Sequence, residues 1–240
     1  MKKAVVLLLI VSSFFLLPLQ AQNNAKSLES EDFLDLSREQ LLGNCWMKMS
    51  GNVNVRPKEG SRRRLKINCA AQLEPEKITF QISLNKAQSF KVESSFGEKH
   101  DTKVLEDSRG KDSEFEKIGI KPVDLSLAFM YWDYQKEYKP ETLGLSRIAC
   151  RVFLLGDPDS STFVKVWISE KYLGPLKVEW YGDLQKDAFQ SLSFEDFAET
   201  NKVWHPVEVK LKNAKGDLQI RFEKVDAAFS KETPKGLYDN

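Results

Sequence analysis

The strongest constraint on the fold of this 240-residue chain is a two-residue alternation of apolar and polar side chains that returns along most of its length. Between residues 45 and 55 the apolar set is Cys45, Met47, Met49, Val53 and Val55. The alternation recurs over residues 65–71, 78–84, 90–92, 148–155, 164–168, 176–180, 207–211 and 218–222, and more weakly over 194–197. Such alternation is typical of strands with one dry face and one wet face. Short connections between the segments indicate an antiparallel meander of nine or ten strands.

Two segments have a helical pattern instead. Residues 28–42 begin with acidic side chains and end before Gly43, which favours a helix. Residues 118–134 place Leu125, Phe129 and Trp132 at i, i+4 and i+7, on one stripe of a second helix. A long antiparallel sheet must curl to bury one face. We therefore predict a mainly β (α+β) fold, a single curled antiparallel sheet whose concave face is covered by the two helices.

Two polar stretches are expected to be irregular. Residues 97–117 are charged throughout and are predicted to form a long loop. The tail after Phe229 is also polar, and we expect it to be frayed. No shift in composition marks a linker, so residues 22–240 are interpreted as one domain.

The first residues indicate export. Lys2 and Lys3 precede an apolar run that ends near Leu19, and the small residue Ala21 follows. This order is typical of a signal peptide over residues 1–21, which we favour over a retained anchor. The predicted destination in a two-membrane bacterium is the periplasm.

Charge and composition argue against nucleic-acid binding, metal binding and catalysis. Lys plus Arg is 36 and Asp plus Glu is 35, so no basic excess favours nucleic acid. The two histidines have no metal-ligand spacing, and no catalytic motif is evident. We expect no metal, no cofactor and no enzyme activity; a secreted hydrolase that uses carboxylates is a remote alternative. The run 62–64 (RRR) is either a contact for an acidic partner or a solvated start of a strand.

The three cysteines cannot all form disulfides within the chain, and strand register limits which of them could pair. If Val55 pairs with Leu65, Cys45 lies far from the residue opposite Cys69, beyond disulfide reach. This favours buried free thiols that act as small hydrophobic groups. Cys150, on a later strand, stays open as a partner for either.

Five further segments form a recognisable series: residues 122–132 (PVDLSLAFMYW), 144–150 (GLSRIAC), 163–168 (FVKVWI), 173–181 (LGPLKVEWY) and 204–206 (WHP). Together they resemble the outer-membrane lipoprotein-sorting proteins, which are LolA-like periplasmic lipoprotein carriers. The resemblance implies an incomplete antiparallel β-barrel that has helices over its open side and binds acyl chains in the cavity between. The chain departs from the family in its charged segment 97–117, and no counterpart is evident for the arginine that holds the lid shut in such carriers.

The resemblance implies the function, the partners and a candidate site. The expected function is transfer of lipoprotein acyl chains towards the outer membrane, and the alternative is a lipid-sensing or regulatory module on the same fold. The expected partners are lipoprotein acyl chains or another lipid, an inner-membrane donor protein and an outer-membrane acceptor protein, with the chain itself a monomer. Leu125, Phe129 and Trp132 are predicted to belong to the lid. The other expected cavity-lining residues are Met47, Met49, Phe80, Val166, Ile168, Trp180, Val207, Val209 and Phe222.

Overall fold

The computed structural model describes residues 27–41, 43–96, 100–108, 110, 113–121, 127–144 and 146–239. The predicted signal peptide, 1–21, lies outside these residues, and so does Leu125 of the predicted lid. None of the helices in the described part of the chain has the length and hydrophobicity needed to cross a bilayer.

Twelve antiparallel strands form one sheet in the order β5-β4-β3-β2-β1-β12-β11-β10-β9-β8-β7-β6. Their bounds are β1 Cys45–Pro57, β2 Arg63–Glu74, β3 Lys77–Leu84, β4 Gln88–Phe96, β5 His100–Asp107, β6 Asp133–Leu143, β7 Ile148–Gly156, β8 Phe163–Ser169, β9 Pro175–Tyr181, β10 Gln190–Thr200, β11 Val203–Asn213 and β12 Gly216–Phe229. The two outermost strands, β5 and β6, do not pair with each other, so the sheet is an open, incomplete barrel. The mainly β fold with one curled antiparallel sheet is therefore confirmed.

The predicted loop 97–117 is wrong in its described part, because that part contains a strand and a helix. β5 pairs with β4, and the short helix α2 spans Glu114–Ile118. The Ser113 side chain accepts a hydrogen bond from the Glu116 amide at the start of α2, and Gly119 ends it at a φ of 71°. Phe115 and Ile118 are buried. Two buried residues in a charged segment were enough to fold it against the sheet.

The second predicted helix is shorter than expected. In the described part of residues 118–134 there is one turn of 3-10 helix, Ala128–Tyr131, beyond the end of α2. Leu127 before it has a φ of 59°, and Trp132 after it is extended. The chain enters β6 at Asp133, so residues 133–134 belong to a strand rather than to the helix. The first predicted helix is present as α1, Ser30–Leu41.

The dry faces of the strands form one buried cluster on the concave side of the sheet, together with side chains of the covering elements. α1 contributes Phe33 and Leu34, and the Phe33 ring stacks on Phe153 of β7 with the centroids 5.7 Å apart. The 3-10 helix contributes Phe129 and Met130. A continuous core therefore joins the sheet to its cover.

The assumed register of β1 and β2 is wrong by two residues. Val53, not Val55, lies opposite Leu65, because the connection between the strands is shorter than supposed. Cys69 then faces Met49, and Cys45 lies four residues further along β1, about 13 Å away. Cys45, Cys69 and Cys150 are buried free thiols in the structure.

The tail is not frayed over its described residues, 230–239. Leu237 is buried, and Lys48 Nζ donates to the carbonyls of Gly236 and Asp239, at 3.1 and 2.9 Å. Gln81 Nε2 donates to the Tyr238 carbonyl at 2.9 Å. Lys48, Ala70 and Gln81 are cross-strand neighbours in one row of the convex face. The tail is therefore a strap across the convex face of β1, β2 and β3.

Candidate functional site

A cavity of about 370 Å³ lies at one rim of the sheet, where β1, β9 and β11 begin and β2, β10 and β12 end. We call it the rim cavity. Its lining residues are Gln40, Leu41, Gly43, Cys45, Met47, Leu73, Leu127, Ile148, Tyr172, Gly174, Pro175, Leu176, Phe194, Phe197, Val203, Trp204, Pro206 and Phe229. The lining includes no acidic or basic side chain. An apolar occupant therefore meets no buried charge there.

Aromatic side chains mark the mouth of the rim cavity. Tyr172, Phe197 and Trp204 all line it, yet each residue stays 38–41% exposed. The Tyr172 and Trp204 rings lie 6.5 Å apart. Single exposed apolar residues are ordinary on a protein surface, but three around one apolar opening form a grouped apolar surface of the kind that apolar ligands or partners contact.

The C-terminal half of α1 forms one wall of the rim cavity and is fastened to the 3-10 helix by Arg38. Arg38 Nε donates to the Met130 carbonyl at 2.8 Å, and Arg38 Nη2 donates to the Trp132 carbonyl at 3.1 Å. The Tyr131 hydroxyl donates back to the Arg38 carbonyl at 3.2 Å. The sequence showed no clear counterpart of the arginine that holds the lid shut in LolA-like carriers; in the structure Arg38 joins the two covering elements to each other. Arg38 is the one basic residue of α1, and that isolation was the signal in the sequence.

The N-terminal end of α1 is fastened to the sheet by a partly buried ion pair. Arg151 of β7 donates through Nε and Nη2 to the Glu137 carboxylate, at 2.7 and 2.6 Å. Arg151 Nη1 also donates to the Leu28 carbonyl at 2.8 Å, and its guanidinium lies 4.5 Å from the Phe33 ring centroid. Burial raises the pKa of Glu137, but the hydrogen bonds from Arg151 and Ser30 outweigh it, and the pKa is lowered. Glu137 is therefore a carboxylate at neutral pH.

The 3-10 helix bridges two distant parts of the sheet. The Phe129 ring meets Trp180 of β9 edge-on, with centroids 5.5 Å apart. The Tyr131 ring stacks on Phe96 of β4 at 3.9 Å. β4 and β9 are seven places apart in the strand order, so the sheet must curl for one short turn to touch both. We call the 3-10 helix and α1 together the lid.

Most of the sequence-predicted cavity residues lie in the core rather than on the rim cavity. Met47 alone lines the rim cavity. Eight of the predicted residues belong instead to the buried core cluster: Met49, Phe80, Phe129, Val166, Ile168, Trp180, Val209 and Phe222. Trp132 packs against that cluster with part of its surface exposed, and Val207 is half-buried on β11. Most of these residues therefore belong to the core that joins the sheet to the lid, and they do not line the rim cavity.

Titratable groups near the rim cavity are few. Burial raises the pKa of the Cys45 thiol to about 11. Burial also lowers the pKa of His205, whose Nε2 lies 3.1 Å from the Thr200 hydroxyl. No three His, Cys, Asp or Glu side chains among the described residues are grouped so that they could hold a metal ion. The chemistry that this site offers is apolar binding.

Solved structures with the same fold have little sequence in common with this chain. An outer-membrane lipoprotein-sorting protein domain from Vibrio parahaemolyticus superposes with a TM-score of 0.63 at 14% identity, over 90% of this chain and 97% of that one. A DUF1329 family protein from Desulfovibrio piger gives 0.63 at 10% identity, over 87% and 96%. A LolA superfamily protein from Nitrosomonas europaea gives 0.54 at 12% identity, over 89% and 98%.

The sequence itself matches no family model and no curated protein. The structural neighbours are thus LolA-like proteins, and the resemblance seen in the sequence is confirmed as a likeness of fold.

Proposed function

We propose that this protein is a periplasmic carrier that binds the acyl chains of lipoproteins and transfers them towards the outer membrane. The observation that carries the proposal is the rim cavity, which has no charged side chain in its lining and is open through three aromatic residues. Its position in a LolA-like fold, one of whose solved examples is described as a lipoprotein-sorting domain, supports the same assignment.

The energetics of such a carrier follow from the chain that it holds. An acyl chain of about 16 carbons left in water costs roughly 12 kcal/mol, at ~0.8 kcal/mol per methylene. A cavity as apolar as the membrane interior removes most of this cost. Transfer from donor to carrier to acceptor is then nearly neutral in free energy, and the partner proteins on either side set its direction.

The lid accounts for how a larger volume becomes available. In the closed structure Phe129 and Met130 fill the space above the concave face. When the contacts of Arg38 with the Met130 and Trp132 carbonyls break, the 3-10 helix can move away from the sheet. The hollow then extends from the rim cavity to residues such as Met49, Phe80 and Trp180, which become part of the acyl-binding surface. An empty open hollow would expose these groups to water, so the lid closes without ligand.

Binding of a fluorescent 16-carbon fatty acid tests the proposal. Phe197→Glu places a charge at the mouth and Phe194→Glu places one on the wall, and we expect both to weaken binding at least about fivefold, because a carboxylate opposes an apolar chain. Phe189→Glu is the matched control: Phe189 is also an exposed phenylalanine, but it lies outside the lining.

Wild-type protein that binds no acyl probe, or a Phe189→Glu variant that binds as weakly as the other two, would refute the proposal. A second measurement separates a carrier from a lipid-sensing module. A carrier moves the labelled lipid from donor vesicles to acceptor vesicles, whereas a sensor retains it.

A further inference from the structure

A second cleft, of about 340 Å³, lies at the opposite rim of the sheet from the rim cavity. Four arginines, Arg56, Arg62, Arg63 and Arg64, line it together with Asn54, Val55 and Gln219. We call it the arginine cleft. β1 runs from the rim cavity at Cys45 to Arg56, eleven residues further on, which is about 36 Å along an extended strand. A ligand in the rim cavity does not reach that far, so the two sites are separate.

The strand register determines on which face of the sheet Arg63 and Arg64 lie. Arg64 and Gln219 both lie opposite Asn54, in one cross-strand row of the convex face. Arg63 lies opposite Val55, so its side chain turns towards the concave face and joins Glu114 of α2 at 2.6 Å. The cleft therefore runs over the rim, with arginines on both sides of it.

Positive charge in the arginine cleft is only half compensated by the described residues. Arg63 is paired with Glu114, and Arg64 lies 3.3 Å from Glu223. Arg56 and Arg62 are exposed and make no ion pair with any described residue. Asp217 is the cross-strand neighbour of Arg56 on β12, but their side chains form no ion pair. Arg56 and Arg62 are therefore the two guanidiniums in the cleft that have no ion-pair partner among the described residues.

Arginine, rather than lysine, lines this cleft throughout. A guanidinium presents a planar fork of donors that matches the oxygens of a phosphate in a bidentate way, and grouped guanidiniums repel one another until an anion joins them. The chain as a whole has a net charge of only +1, so the cleft is a local feature and not the consequence of a basic protein. Two free positive charges match a doubly charged group.

We propose that the arginine cleft binds a dianionic phosphate group, either a phosphomonoester or a diphosphate. Arg56 and Arg62 supply the main contacts, and Arg64 supports them from the same face. The ligand is recognised by its charge and by its oxygens, whether the group belongs to a soluble molecule or to a lipid headgroup at a membrane surface.

Calorimetric titration with pyrophosphate, and flotation with phosphatidylcholine vesicles that contain phosphatidic acid, distinguish the two sources. One of the two probes should bind to the wild-type protein. We expect the Arg56→Gln/Arg62→Gln variant to bind that probe with an affinity about tenfold lower or weaker still. Arg56→Lys/Arg62→Lys retains the charge without the fork and should be intermediate. Raising the ionic strength should weaken wild-type binding, because exposed charges are screened.

Lys139→Gln/Arg147→Gln is the matched control, since it removes two exposed positive charges at β6 and the turn that follows it. Unchanged binding in this control, with loss only in the cleft variant, supports the proposal. Absence of binding to both probes, or an equal loss in the control, overturns it. Acyl-probe binding should be the same in all of these variants, so failure here is separate from failure of the carrier proposal.

Discussion

Replacing Arg151 with methionine tests how the lid is fastened to the sheet. The substitution removes two hydrogen bonds to Glu137 and one to Leu28, and it leaves a carboxylate that is only 18% exposed with Ser30 as its remaining described donor. Loss of one partner of a buried ion pair costs about 3–5 kcal/mol, because the other charge stays desolvated. We take ~3 kcal/mol, since Glu137 lies on the edge strand β6, where water can approach as the lid loosens.

Urea unfolding measures this loss of unfolding free energy directly. In thermal unfolding, for a domain of this size, ~3 kcal/mol corresponds to a fall in Tm of roughly 10 °C. The Arg151→Met/Glu137→Met double variant is the control, because it leaves no unpaired charge, and it should be clearly more stable than Arg151→Met alone. A cost below about 1 kcal/mol, or a double variant whose loss equals the sum of the single losses, would refute the reasoning.

Three further predictions concern the same structure. Because the pKa of Glu137 in the folded protein lies below its ordinary value of 4.5, its stabilising effect is complete above that pH and is lost as the pH falls through the folded pKa; the difference in unfolding free energy between wild type and the double variant should therefore shrink in acid. Cys45 lines the rim cavity and Cys150 does not, so a bound acyl chain should slow alkylation of Cys45, measured by mass spectrometry, and leave Cys150 unchanged. Leu237→Ala should lower the free energy of unfolding in urea by about 2 kcal/mol and speed amide exchange in β3, because Leu237 fixes the strap; an unchanged midpoint would mean that the strap adds no stability.

The two strands that sequence reasoning missed are the two edges of the sheet. β6 contains mostly exposed positions, and β5 is charged along its length, so neither has the apolar alternation that identified the others. An edge strand is held largely by hydrogen bonds to its single neighbour, and charged residues there discourage pairing with other chains. Alternation of apolar and polar residues identifies strands that have one buried face, and these two strands bury few side chains.

The interior strands were predictable because burial imposes their period, but their register was not. The pairing of Val53 with Leu65 depends on where the connection between β1 and β2 closes, which local pattern does not determine. The same limit applies to the rim cavity. It is a space left between α1, the rim strands and the connection around Tyr172, so no single segment encodes it.

The contact between the two parts of the lid shows a different limit. Arg38 reaches carbonyls more than ninety residues away in the chain, at Met130 and Trp132. The helix itself was predictable from its end signals, whereas the partners of its one arginine depend on the path of the chain into β6.

The most direct test of the carrier proposal is photo-crosslinking with a fatty acid that carries a diazirine in the middle of its chain. Mass spectrometry of the labelled protein should locate the crosslinks at rim-cavity residues such as Leu41, Met47 and Phe194, and an excess of unlabelled fatty acid should abolish them. Crosslinks confined to exposed apolar residues outside the cavity, such as Leu184 and Phe189, would contradict the account, because the acyl chain would then lie on the surface and not in the hollow.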